Sequence, residues 1–113
     1  MPPIETLKNR RDFTGLRKAP SFGAPGFLLV KRARGDAGPP RIGYTVTKKL
    51  GSAVLRNRIR RRLKAAAAEV FPVSAEAGVD YVFIARSAAA TRSFASLLDD
   101  VKRGLLRLSK RPK

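Results

Sequence analysis

Six of the nine residues in Arg56-Asn57-Arg58-Ile59-Arg60-Arg61-Arg62-Leu63-Lys64 are cationic. The wider stretch from Arg41 to Lys64 holds nine Lys or Arg and no acidic residue. Arginine dominates, and its planar fork grips phosphate oxygens bidentately and stacks on bases, which an ammonium cannot do. A basic face that only solvates a helix is usually interleaved with acids, and none is present here. The chemistry offered by this pattern is recognition of a polyanion, phosphate by phosphate. Phe13 and Tyr44 add a second possibility, because an aromatic beside a groove can stack an unpaired base.

The remaining residues exclude more than they suggest. The 113-residue chain has no His and no Cys. That removes a Ser-His-Asp triad, a thiol nucleophile, a disulfide framework and most zinc sites. The acids are scattered; only Asp99 and Asp100 are adjacent, and they read as a solvating pair. There is no two-metal carboxylate cluster and no Gly-rich phosphate loop. A net charge of +17 on so small a body is costly in self-repulsion and calls for a polyanionic partner. Nucleic acid leads. An anionic membrane surface fits less well, since the apolar stripe of Leu55 to Val70 has no aromatic for insertion. No secretory signal and no spanning run of about 20 apolar residues is present, so the reading is a soluble, cytoplasmic protein.

The elements that must position these residues follow from periodicity. Ser52 is an N-cap candidate for a helix running to about Val70 and ended by Pro72. On that helix Leu55, Ile59, Leu63, Ala66 and Val70 fall within an arc of roughly 80°, with the cations over the remaining side. Like charges at Arg56/Arg60, Arg58/Arg62 and Arg60/Lys64 oppose the helix by a few tenths of a kcal/mol each, a strain that phosphates would relieve. Phe27–Ala33 and Arg41–Thr47 read as strands of a hairpin with a long loop, Ile42, Tyr44 and Val46 facing one way. Val79–Ala85 is almost wholly apolar and is expected to be central and covered on both faces. A last helix from about Ser93 to Leu108 carries the stripe Phe94, Leu97, Leu98, Val101, Leu105 and Leu108. A short helix is expected over about 8–17. The whole reads as one domain, 1–113, with 1–7 and 110–113 flexible.

The block Lys48-Lys49-Leu50-Gly51-Ser52-Ala53-Val54-Leu55-Arg56-Asn57-Arg58 resembles the protein subunit of bacterial ribonuclease P, which carries a Lys-Lys pair, a Gly, Ala-Val and an Arg-Asn-Arg helix. Arg11-Asp12-Phe13, Arg41-Ile42-Gly43 and Asp80-Tyr81-Val82-Phe83-Ile84-Ala85-Arg86 resemble the family's other blocks, in the family's order. The resemblance implies an α+β fold, a small α/β sandwich of order α-β-β-β-α-β-α. It has a four-stranded sheet and a left-handed βαβ crossover, as in the second domain of a small-subunit ribosomal protein. The first strand would then lie near Ser21 to Gly23.

The resemblance also implies a role: a holoenzyme subunit that binds a catalytic RNA and the 5′ leader of precursor tRNA. The RNA and its Mg²⁺ would supply the chemistry, with no catalytic residue, no metal and no obligate protein partner on this chain. Lys48, Lys49, Arg56, Asn57, Arg58, Arg60, Arg61 and Lys64 would face the catalytic RNA, and Phe13 would lie along the leader. Where many members have further aromatics this chain has Arg17 and Val30, so leader contact would rest more on charge. The alternative is a generic structural RNA-binder such as a small ribosomal protein.

Overall fold

The computed structural model describes residues 5–6 and 19–109. The expected first helix, with Phe13 and Arg17, lies outside them, as does the tail 110–113. In chain order the elements are β1 (Glu5–Thr6), β2 (Ser21–Gly23), β3 (Phe27–Ala33), β4 (Arg41–Thr45), α1 (Ala53–Ser74), β5 (Val79–Ala85) and α2 (Phe94–Ser109). Short 3-10 turns occupy Lys48–Leu50 and Ser87–Ala90. The strands form one mixed sheet of order β1-β4-β5-β3-β2. Four strands build it, β2 among them at the expected place, and the two-residue β1 extends its edge beside Arg41 and Ile42. Glu5 and Thr6 are thus paired, within a segment expected to be loose.

The expected hairpin does not form. β3 and β4 are separated by β5, which pairs antiparallel with β3 and parallel with β4. The apolar run of β5 gains most by taking the centre, where both of its edges are hydrogen-bonded and both faces covered. The loop after β3 crosses the start of β5 instead of turning back. Arg34 N–H donates to the Gly78 carbonyl at 2.8 Å, and Gly78 N–H donates to that of Gly38 at 2.7 Å. Gly78 has φ +73°, and a Cβ there would meet the Asp36 carbonyl oxygen at 2.0 Å. Gly78→Ala should therefore destabilise the protein by about 2 kcal/mol or more, from a left-handed backbone plus a clash. A denaturant midpoint indistinguishable from the parent's would show that the crossing loop is not held there.

One face of the sheet packs on both helices. Phe27, Leu29, Ile42, Tyr81 and Phe83 meet Ile59, Leu63, Phe71, Leu97 and Val101 in one core. Phe71 carries α1 past its expected end: it packs edge-on against Tyr81 at 4.9 Å, and the helix runs through Pro72 to Ser74. Proline's missing N–H removes only the bond to the carbonyl of exposed Ala68, which water can reach. Phe94, expected in the core stripe, is 37% exposed; the first residue of a helix has neighbours on one side only. Lys31 is buried beneath the end of α2, where its ammonium donates to the Leu108 carbonyl at 3.0 Å and pairs with Glu76 at 2.6 Å. A cation there satisfies a terminal carbonyl and the negative end of the helix dipole. On the other face Val30 and Val82 are buried together with Ala19, Leu28 and Ile84 packed around them.

Candidate nucleic-acid interface

The cationic ridge stands where the periodicity puts it. Ser52 caps α1, its hydroxyl accepting from Leu55 N–H at 3.2 Å. Ile59, Leu63 and Ala66 are fully buried against the sheet. Asn57, Arg58, Arg61 and Lys64 are exposed, and Arg56 and Arg60 are half-buried. Arg60 Nη1 donates to Asn57 Oδ1 at 2.9 Å, which sets the two side chains side by side. Arg56 Nε donates to the Gly51 carbonyl at 3.2 Å, back toward the exposed Lys48 and Lys49 of the preceding turn. Arg61, Lys48 and Lys49 make no ion pair with a described residue. The ridge begins in the first turn of α1, at Arg56, where the helix dipole is positive and no acid offsets it. A bound phosphate would relieve both burdens.

Tyr44 belongs to this side of the sheet. Its ring stacks on Phe83 at 5.5 Å, and Lys64 Nζ lies 5.7 Å from its centroid. Burial pushes the phenol up to about 12, so it stays neutral and able to donate. Tyr44 is therefore a half-buried neighbour of the ridge, with one ring face taken by Phe83. Val30 is 3% exposed, so its side chain offers a leader no surface.

Two charge clusters escaped the sequence reading. Asp80 is fully buried on the sheet face turned away from α1, in register with Arg32 and Arg41. Arg32 reaches it at 2.6 Å, Arg34 at 2.7 Å, and Arg41 bidentately at 2.7 and 2.9 Å. Burial disfavours the carboxylate's charge, but the hydrogen bonds from Arg41, Arg32 and Arg34 outweigh it and hold Asp80 well below the usual carboxylate range. The available signal was a charged residue inside an otherwise apolar central strand, which demands buried counter-charge. Asp100, expected to be solvated beside Asp99, is likewise fully buried, with Arg92 at 2.5 Å and Arg103 at 3.1 Å. These acids are committed to arginines, and no group of three possible metal-ligating side chains occurs among the described residues. No described helix is long and apolar enough to cross a membrane.

The fold and ridge together define a small, strongly basic α+β protein with an acid-free, arginine-rich face on the N-terminal half of α1. The family model described as Ribonuclease P matches residues 1–109. The ribonuclease P protein component of Caulobacter vibrioides is 47% identical over 107 residues, covering 94% of this chain and 72% of that one. That of Paramagnetospirillum magneticum is 43% identical over 112 residues, covering 93% and 83%. Among solved structures, the RNase P protein of Staphylococcus aureus superposes with a TM-score of 0.76 at 26% identity, covering 93% of this chain and 94% of that one. The RNase P protein of Thermotoga maritima does so with a TM-score of 0.75 at 24% identity, covering 96% and 99%. The chain belongs to the ribonuclease P protein family, the protein components of a tRNA-processing endoribonuclease.

Proposed function

We propose that this chain binds the catalytic RNA of ribonuclease P through the α1 ridge and, in the cytoplasm, supports RNA-catalysed removal of the 5′ leader from precursor tRNA. One observation carries the reading: an acid-free array of exposed and half-buried cations on the N-terminal half of a helix whose opposite stripe is buried. Lys48, Lys49, Arg56, Asn57, Arg58, Arg60, Arg61 and Lys64 supply the contacts to RNA phosphates and bases. Phe13 and Arg17, on the segment before β2, are assigned to the leader. Mg²⁺ belongs to the RNA in this reading, where it would activate the attacking water; the protein's part is charge neutralisation and substrate affinity. A generic RNA-binding role leaves the family membership without consequence.

Reconstituted cleavage tests this. Protein, catalytic RNA from the same source and a precursor tRNA are mixed at low Mg²⁺, and release of the 5′ leader is followed with and without protein. Strong dependence on the protein is the expected result. Absence of stimulation, together with tight binding to unrelated structured RNAs, would return the chain to the class of general RNA-binders.

A further inference from the structure

Arg62 lies within the arginine run but differs from its neighbours. It is half-buried, whereas Arg58 and Arg61 are exposed. Its guanidinium turns toward the segment between β5 and α2. Nε donates to the Ala89 carbonyl at 2.9 Å, and Nη2 donates to the Arg92 carbonyl. One turn earlier on α1, Arg58 Nε donates to the Ala90 carbonyl at 3.1 Å. Ala89 and Ala90 close the 3-10 turn, and the last carbonyls of a helical turn have no backbone partner of their own. The two arginines supply the missing donors. Arg92 continues the connection, because its own guanidinium holds the buried Asp100 of α2. A chain of hydrogen bonds thus runs from α1 through the 87–92 segment into α2.

We propose that Arg62 is a positioning residue for RNA binding: it clamps the 87–92 segment to α1 and so aims Arg58, without touching RNA itself. The inference rests on the assignment of the ridge to RNA. Arg58 spends only Nε inward, which leaves Nη1 and Nη2 uncommitted to any described residue and free to fork a phosphate. Arg62 spends Nε and Nη2 inward on two different carbonyls. Lysine cannot replace it, since a single ammonium head lacks the fixed geometry to meet both acceptors at once. Charge at position 62 is therefore secondary to shape. A direct phosphate contact would behave in the opposite way, tolerating lysine and failing with alanine.

The test is affinity for the catalytic RNA across a KCl series, measured for the parent, Arg62→Lys, Arg62→Ala, Arg58→Ala and the Arg58→Ala/Arg62→Ala pair. Each variant is first shown to be folded by circular dichroism and thermal melting. Arg62→Lys is expected to lose about tenfold in affinity, close to the loss of Arg62→Ala. The pair is expected to lose less than the product of the two single losses, since Arg58 depends on Arg62 for its aim. Near-parent binding by Arg62→Lys would overturn the proposal. So would multiplicative losses in the pair, or a salt slope that falls by about 0.7–0.9 in Arg62→Ala but not in Arg62→Lys, the mark of one lost phosphate contact. If Arg62→Ala does not fold, Arg62→Lys against the parent makes the same decision. Failure of the parent itself to bind the catalytic RNA would overturn the ridge assignment and this inference together.

Discussion

Replacing Asp80 with Ala is expected to lower stability by about 3 kcal/mol, enough to drop the melting temperature by about 10 °C or more. The carboxylate is the shared acceptor of Arg32, Arg34 and Arg41, whose side chains are only 23, 13 and 27% exposed. Removing it leaves cations crowded with reduced access to water, and breaking one partner of a buried ion pair is far worse than never having built it. The pH dependence has a definite sign. Asp80 is held below its unfolded value by its arginines, so its contribution is fully present above about pH 4 and is lost as pH falls further, toward the folded value. Unfolding followed between pH 7 and pH 2 should show a steep acid limb in the parent that flattens in Asp80→Asn. A shift of under 2 °C in Asp80→Ala, or an unchanged acid limb in Asp80→Asn, would remove the cage from the account of stability.

The combined change Arg56→Ala/Arg60→Ala/Arg61→Ala should move binding and stability in opposite directions. Charge-assisted hydrogen bonds are worth about 1.5–3 kcal/mol each, so losing three should weaken catalytic-RNA binding by about a thousandfold or more. The dependence of log K on log salt should become shallower by about 2, as fewer counterions are released. The fold should hold or gain a few tenths of a kcal/mol, because alanine is the best helix former and the Arg56/Arg60 and Arg60/Lys64 repulsions disappear. Filter binding over a salt series, with thermal melts in parallel, measures both. Binding and stability falling together would mean that these arginines hold the fold and not the RNA.

The contrast between these two arginine groups explains what was legible in the sequence. β3 and β5 stand where β-branched and aromatic runs bounded by turn residues put them, and α1 shows its 3.6-residue stripe on the buried side. Both signals are local. The ridge is likewise a matter of one helix and the absence of acids. The partners of Asp80 lie 39 to 48 residues away, and only the register of β3, β4 and β5 brings them together. That register was hidden because a loop of turn residues between two strands reads as a hairpin, whether or not a third strand slips between them. Asp100 was read from its neighbour Asp99, yet on a helix adjacent residues point about 100° apart, one to water and one to the core. The role of Arg62 is equally non-local, since its acceptors are main-chain carbonyls of a segment about 30 residues away.

Asp36, Glu76, Asp80, Asp99 and Asp100 are all paired with cations, and none of them lies on the N-terminal half of α1. The N-terminal half of α1, with Lys48 and Lys49 before it, is consequently a local concentration of positive charge that no described acid offsets. A polyanion that approaches this face meets a concentrated positive field, which steers the encounter toward it. The fraction of collisions that are productive then rises well above that of a uniformly charged body, and association should be fast and sharply slowed by salt. Dissociation, governed by contacts already made at close range, should be far less sensitive to where the acids lie. The arrangement of the few negative residues thus shapes the speed of recognition, even though none of them needs to meet the partner.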